Sequence, residues 1–240
     1  MSQLPFRAII VDFDRTLLHT DKSISEYTLD VLGSWKASGA CLFAATARPE
    51  RAITVYRGMI AFDAVTTLNG ARTITPDTVF EEPISRAGAE AVLEQLCAVE
   101  GMVVSVEAEN GLYANTDIPV WQPKVTDDLQ ALPRKEKIYK ILASHPEIPV
   151  DRIPMALPDN VYSTIADGRL VQVMSRDATK WNGVRRMLQA YGIDPAQAVF
   201  FGDDNDDIEP IRRCGCGVAV ANALEHVREA ADHKIGRAHV

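Results

Sequence analysis

Apolar residues arrive along this chain in short unbroken bursts, each followed by polar residues and then by a helical stretch. The bursts are residues 8–11, 41–45, 198–201 and 217–220. None alternates in polarity, which is the pattern of strands covered on both faces in a parallel sheet. Between the first two, residues 25–38 carry a helical pattern with Leu29, Leu32 and Trp35 on one face. Ser23 and Glu26 are spaced as a capping box, and Gly39 suits the stop. A second helix is predicted over 180–191, with Val184, Met187, Leu188 and Tyr191 as its apolar side. Strands alternating with helices in this way build a doubly wound, Rossmann-like α/β core around a parallel sheet. Ligands of such sheets bind beyond the carboxyl ends of the strands.

The middle of the chain reads differently. It holds more β-like pieces, more prolines and a hairpin signal, in which residues 161–166 and 170–174 flank Asp167-Gly168. Helices are predicted over 86–99 and 134–144. The expected organisation is a core made of residues 1–82 and 172–240, with a small α+β domain inserted over 83–171.

Composition narrows the partners. The chain has 240 residues, 47% of them hydrophobic, enough for a sizeable core. A formal net charge of −8 argues against nucleic acid or an anionic membrane as partner, since both demand basic patches. A small anionic substrate remains compatible if a metal and a few local cations line its site. The apolar run before Asp12 is too short for a signal peptide or a membrane span. The pair Cys214-Gly-Cys216 lacks a second ligand pair, which argues against zinc and for a reducing, cytoplasmic setting.

Chemistry concentrates at the strand ends. Asp12 and Asp14 follow the first burst, and side chains two apart on a strand point the same way. Two carboxylates on one side repel unless a cation sits between them, and a hard divalent ion such as Mg²⁺ takes oxygen ligands. Thr46 follows the second burst, and Asp203 the third. Singly, each residue has an ordinary reading: a solvated loop acid, a turn cap, a solvated helix charge for Lys180, a helix cap among residues 203–207. Their order at successive strand ends favours phosphoryl transfer instead. Asp12 could attack phosphorus, and Asp14 could protonate the leaving oxygen and later activate water. Thr46 offers a hydroxyl and loop amides to the phosphate. Lys180 would neutralise charge, and Asp203 would complete a metal's carboxylate set.

With these residues in this order, the sequence resembles the haloacid dehalogenase-like superfamily, and within it the Cof-type phosphatases with a type IIB α+β cap. The resemblance rests on Asp12-Phe13-Asp14-Arg15-Thr16, Thr46-Ala47-Arg48-Pro49, Lys180 and Gly202-Asp203-Asp204-Asn205-Asp206-Asp207. Leu68-Asn69-Gly70 and residues 217–223 are similar to further family segments. The resemblance implies Asp12 as nucleophile and Asp14 as general acid/base. It implies Mg²⁺ on Asp12, the backbone carbonyl of Asp14 and Asp203, with Asp204 or Asp207 orienting its water ligands. Phosphate would be held at Phe13, Thr46, Ala47 and Lys180, with Asn205 or Asp206 adding a contact. The implied function is Mg²⁺-dependent hydrolysis of a small phosphorylated metabolite through an aspartyl-phosphate. A phosphomutase is the alternative within the enzyme class, and a silent phosphate-binding regulatory protein the alternative outside it. Neither the substrate's identity nor the oligomeric state is legible.

Three positions depart from the family pattern. Arg15 and Ala47 stand where the family usually has glycine. Asp206 stands where it commonly has an asparagine, and a carboxylate has no amide to offer a phosphate. A helix capped at Asp206 would bring Pro210 against the carbonyl of residue 206, so a rearranged loop is expected there.

Overall fold

A computed structural model describes residues 6–166 and 168–236. In chain order the first elements are β1 (Ala8–Val11), α1 (Glu26–Ala37), β2 (Cys41–Ala45), α2 (Thr54–Met59), β3 (Ala64–Thr67), β4 (Arg72–Ile74) and β5 (Val79–Glu81). Then come α3 (Arg86–Cys97), β6 (Val103–Ala108), β7 (Gly111–Ala114), β8 (Lys124–Val125), β9 (Ile138–Ser144), β10 (Val161–Ala166) and β11 (Leu170–Ser175). The chain closes with α4 (Lys180–Ala190), β12 (Ala198–Gly202), α5 (Ile208–Arg213), β13 (Cys216–Val220), α6 (Glu225–Ala230) and β14 (His233–Ile235).

These elements form two compact units, one of residues 1–81 and 179–240, the other of 82–178. The first is a doubly wound α/β unit. Its eight strands lie in the order β14-β13-β12-β1-β2-β3-β4-β5, parallel from β14 to β3 and antiparallel beyond. Adjacent residues of its strands serve opposite cores. Ile10 and Phe43 pack with Val184, Met187 and Ile211 from α4 and α5. Val11, Leu42 and Ala44 pack with Leu32 and Tyr56 from α1 and α2. That two-sided burial is why the bursts do not alternate. Truncating Phe43, which is fully buried, to alanine would cost about 3–5 kcal/mol.

Between β12 and β2, the strand β1 marks where the connections change direction. One set winds outward through β2 and β3, the other through β12 and β13. A crevice beyond the carboxyl ends of such strands is where doubly wound sheets bind ligands. Asp12, Thr46 and Asp203 each directly follow one of these three central strands.

The second unit is an antiparallel α+β layer in the order β10-β11-β9-β6-β7-β8, with only β7 and β8 parallel. Ala89, Val92, Leu93 and Leu96 of α3 cover one face of this sheet.

Three expectations need correction. The predicted helix over 134–144 is a 3-10 turn (Leu129–Arg134) followed by β9. Ile138, Ile141 and Leu142 fit a helical spacing as well as a central strand, and pairing to both β6 and β11 decides in favour of the strand. The expected return to the first unit at residue 172 falls inside β11, whose Gln172 pairs with Leu142 and Thr164. Helix α1 is capped by Ser25, which accepts the Thr28 N–H, while the Ser23 hydroxyl bonds Asp21 instead. The β10–β11 hairpin does form, with Gly168 at φ 64° and the Arg169 N–H on Ala166 O. Asp167 of its expected turn lies outside the described residues.

Candidate active site

The Asp12 N–H donates to Phe201 O at 3.0 Å, carrying the β1–β12 ladder one residue past the strand. The chain then turns tightly, with Leu17 N–H on Asp12 O and Leu18 N–H on Phe13 O. Phe13 is fully buried against the rings of Tyr56 and Phe62, at 5.4 and 5.8 Å between centroids. Only its backbone can therefore serve the phosphate role expected of it. Asp12 is buried, whereas the Asp14 side chain is 40% exposed.

Lys180 is the first residue of α4, held there by Thr179, whose side chain accepts the Asn182 N–H. Gly70, at φ 96°, allows the close approach of that cap: a Cβ on it would lie 2.0 Å from Thr179 O. From this anchor the buried Lys180 Nζ donates to Asp12 Oδ1 at 3.0 Å and to Asp207 Oδ1 at 2.6 Å. Asp207 reaches it because Gly202 has no side chain, since a Cβ there would sit 2.5 Å from the Asp207 Cβ. The other Asp207 oxygen accepts the N–H groups of Asp203 and Asp204. Both Asp207 oxygens thus accept hydrogen bonds, one from Lys180 and the other from the loop, so Asp207 braces the loop against the lysine.

Asp203 is also buried. Its Oδ1 accepts the Thr16 hydroxyl at 3.1 Å, and its Oδ2 has no hydrogen bond. Asp204 is exposed and accepts the Asn205 N–H at 2.7 Å. The Asn205 carbonyl oxygen meets His226 Nε2 at 2.6 Å, so its side chain is committed to Asp204 and His226. Asp206 accepts a hydrogen bond from the Asn69 amide. Residues Asn205–Asp207 form one 3-10 turn and α5 begins at Ile208. Pro210 therefore sits in the first turn of α5, where no helical N–H is missed.

Charge in this cluster is unbalanced. Burial raises the Asp12 carboxyl well above its ordinary range; Lys180 opposes this, and Asp207 and Asp203 add to it. Burial and Asp207 likewise push Asp203 up to about 7, against Arg15 and Thr16. Burial would lower Lys180, but Asp12, Asp207 and Asp206 outweigh it and hold the ammonium charged. Oxygens of Asp12, Asp203 and Asp207 lie within 4.8 Å of one another. Three buried carboxylates around one buried lysine, with one carboxylate oxygen left without a hydrogen bond, fit a hard divalent cation taking oxygens of Asp12 and Asp203.

Beside this lies a second, cationic cluster. Arg48 grips Asp14 with two hydrogen bonds of 2.6 Å, and Lys22 adds one of 2.7 Å. Burial pushes the Asp14 carboxyl up, but these partners win and bring it down to about 2. Thr46 is buried; its N–H goes to Thr66 O and its hydroxyl oxygen accepts the Arg48 N–H. Ala47 is exposed and keeps a negative φ, so replacing the usual glycine costs no backbone strain. The segment Leu68–Gly70 is tied to this loop by Leu68 N–H to Arg48 O and Asn69 N–H to Thr46 O. Reading the sequence picked out neither the Asp206 partner Asn69 nor the Asp14 partners Lys22 and Arg48. Arg48 and Asn69 lie inside recognised motifs, which was a usable signal, whereas Lys22 carried none.

The model of the haloacid dehalogenase-like hydrolase family matches residues 9–239. The chain belongs to the haloacid dehalogenase-like hydrolases. YxeH of Bacillus subtilis is 26% identical over 95% of this chain and 92% of its own length. The 5-amino-6-(5-phospho-D-ribitylamino)uracil phosphatase YitU of the same organism is 25% identical over 93% and 90%. Among solved structures, the HAD enzyme superfamily phosphatase BT1666 of Bacteroides thetaiotaomicron superposes with a TM-score of 0.82 at 23% identity, covering 96% of this chain and 90% of that one. The subclass IIB sugar phosphatase BT4131 gives 0.77 at 21% identity, covering 96% and 93%. This hydrolase therefore shares its fold with both. No helix among its described residues is long and apolar enough to cross a membrane.

Proposed function

We propose that this hydrolase is a Mg²⁺-dependent phosphatase acting on a small phosphorylated metabolite through an aspartyl-phosphate on Asp12. The observation that carries the reading is the buried Asp12 at a central strand end, with Lys180 Nζ 3.0 Å from its Oδ1 and Asp203 in the same cluster. Asp12 attacks phosphorus, and the bond from phosphorus to the ester oxygen breaks. Asp14 gives its proton to the departing oxygen, then takes one from the water that attacks the aspartyl-phosphate and releases phosphate. Thr46, the Ala47 backbone and Lys180 hold the phosphate oxygens. Asp12, the Asp14 carbonyl and Asp203 would hold Mg²⁺, with Asp204 near its outer waters. When bound, the ion supplies charge that keeps Asp12 ionised and stabilises the phosphoryl group in transfer.

Brought down to about 2, Asp14 is ionised while Arg48 and Lys22 both grip it. To act as acid it must first shed part of that grip, and the substrate's phosphate dianion is the competing partner for both cations. The unit of residues 82–178 would supply leaving-group recognition, as the inserted domain does in the capped phosphatases that the sequence resembles. A phosphorylated sugar or sugar alcohol is the substrate class favoured by YitU and BT4131, each named for such a reaction. The four cysteines are free and suit a cytoplasmic setting.

The test is a phosphatase screen over phosphorylated metabolites with and without Mg²⁺, run in ¹⁸O-labelled water. Mg²⁺-dependent release of phosphate carrying the label is expected. Positional exchange of the phosphoryl group without label would replace hydrolysis by mutase chemistry. Phosphate binding without turnover across the panel would leave a regulatory protein.

A further inference from the structure

The residue after the acid/base aspartate is Arg15, and its backbone lies in the left-handed region at φ 62°. Glycine adopts that conformation freely and a long side chain does not, so something must hold Arg15 there. Asn222, in the loop after β13, does so from two directions. Its Nδ2 donates to Arg15 O at 2.9 Å, and its own carbonyl accepts from the Arg15 guanidinium at 3.1 Å. Thus braced, the guanidinium places Nε 3.4 Å from Asp203 Oδ2. That oxygen is the buried one with no hydrogen bond. The contact is one of charge on charge, made to the free oxygen of the acid that stands ready for a metal. Thr16 fixes the other oxygen, so Asp203 is oriented whether or not an ion is present.

We infer that Arg15 is a built-in counter-ion of Asp203, which steadies this acid in the metal-free protein and competes with the divalent ion for it. This rests on the reading of the cluster as a Mg²⁺ site. A fixed positive charge this close to a ligand oxygen repels an incoming dication. For a side chain that is 46% exposed and so well screened, the repulsion is worth on the order of a tenfold loss of affinity. This chain should therefore need more free Mg²⁺ than its relatives with glycine at that position.

The experiment is calorimetric titration of the metal-free full chain with Mg²⁺ at constant ionic strength, together with its thermal midpoint without metal. Arg15→Gln removes the charge and keeps the bulk and the strained backbone. Arg15→Gly removes all three, and Arg15→Lys keeps the charge. Arg15→Gln and Arg15→Gly should bind Mg²⁺ about tenfold more tightly, and Arg15→Lys should stay near the parent. Arg15→Gln should also melt below the parent when metal-free. If the parent binds Mg²⁺ and Arg15→Gln binds it equally or more weakly, Arg15 does not compete. An unchanged metal-free midpoint in Arg15→Gln overturns the counter-ion role. Binding by neither parent nor variants overturns the metal reading, and the competition with it.

Discussion

On one side of Phe13, three buried carboxylates cluster and two of them, Asp12 and Asp207, share one buried lysine; on the other, a half-exposed carboxylate is gripped by two cations. Asp12 and Asp14 are two residues apart, yet the first is pushed well above its ordinary range and the second brought down to about 2. The difference lies in what the folded chain adds around each. Asp12 meets acids delivered by the loop after β12, while Asp14 meets bases delivered by the loops at residues 22 and 48. A nucleophile in the first setting has one lysine against three carboxylates, too little positive charge, and a proton donor in the second has too much of it. Under the proposed mechanism each aspartate therefore depends on something arriving: a divalent ion for Asp12, a competing anion for the partners of Asp14.

Replacing each aspartate in turn breaks the comparison most directly. Asp12→Asn should remove turnover by on the order of 10⁴-fold or more and abolish acid-stable phosphoenzyme. Asp14→Asn should slow turnover by about 10²–10⁴-fold while phosphoenzyme still forms and persists. Rapid acid quench with ³²P-labelled substrate reads both. Equal phosphoenzyme levels in the two variants would mean that the division of labour is wrong.

Acidity gives a smaller and opposite pair of effects. Asp14, with its folded pKa depressed, contributes stability that is present above pH ~4 and lost as pH falls through about 2. Screening of this half-exposed group keeps that to about 1 kcal/mol. Asp203, with its folded pKa raised to about 7, contributes stability that is complete below pH ~4 and lost as pH rises through about 7. That loss amounts to roughly 3–4 kcal/mol, and Asp12 adds to it with the same sign. Metal-free protein should thus be most stable near pH ~4–5, and added Mg²⁺ should raise the thermal midpoint more at pH ~7.5 than at pH ~5. Melting curves across this range with Mg²⁺ or with chelator check it, and an increment independent of pH contradicts it.

How much of this was legible beforehand follows from which interactions are local. β1 and β2 have the bounds that their apolar bursts marked, because strands buried on both faces carry unbroken hydrophobic runs. Residues from three of the four motifs meet in the structure as Asp12, Lys180, Asp203 and Asp207, since Asp12 and Asp203 each follow a strand and Lys180 opens a helix. β9 was not legible, because Ile138, Ile141 and Leu142 satisfy two periodicities and only their sheet partners choose between them. Nor was the partner set of Asp14. Lys22 reaches it from a turn at φ 68° and Arg48 from another strand end, and no local pattern encodes that meeting. At Asp206, the residue type alone suggested repulsion of phosphate, whereas the structure gives its charge two uses, the Asn69 amide and Lys180.

That last position yields the smallest predicted effect. The family commonly has asparagine here, and Asp206→Asn retains an oxygen for the Asn69 amide while removing one negative charge near Lys180 and any bound phosphate. Activity should be preserved or raise by up to about threefold, mainly through a lower KM. Asn205→Ala would lower activity only if Asn205 had taken over the phosphate contact. Its amide and carbonyl are engaged by Asp204 and His226, so little change is expected. Steady-state kinetics on the two variants settle the division: a collapse in Asp206→Asn would make the carboxylate itself necessary, and a collapse in Asn205→Ala would return the contact to Asn205. Intermediate losses in both would mean that the 3-10 turn works as one unit, with His226 holding it at Asn205 and Asn69 holding it at Asp206.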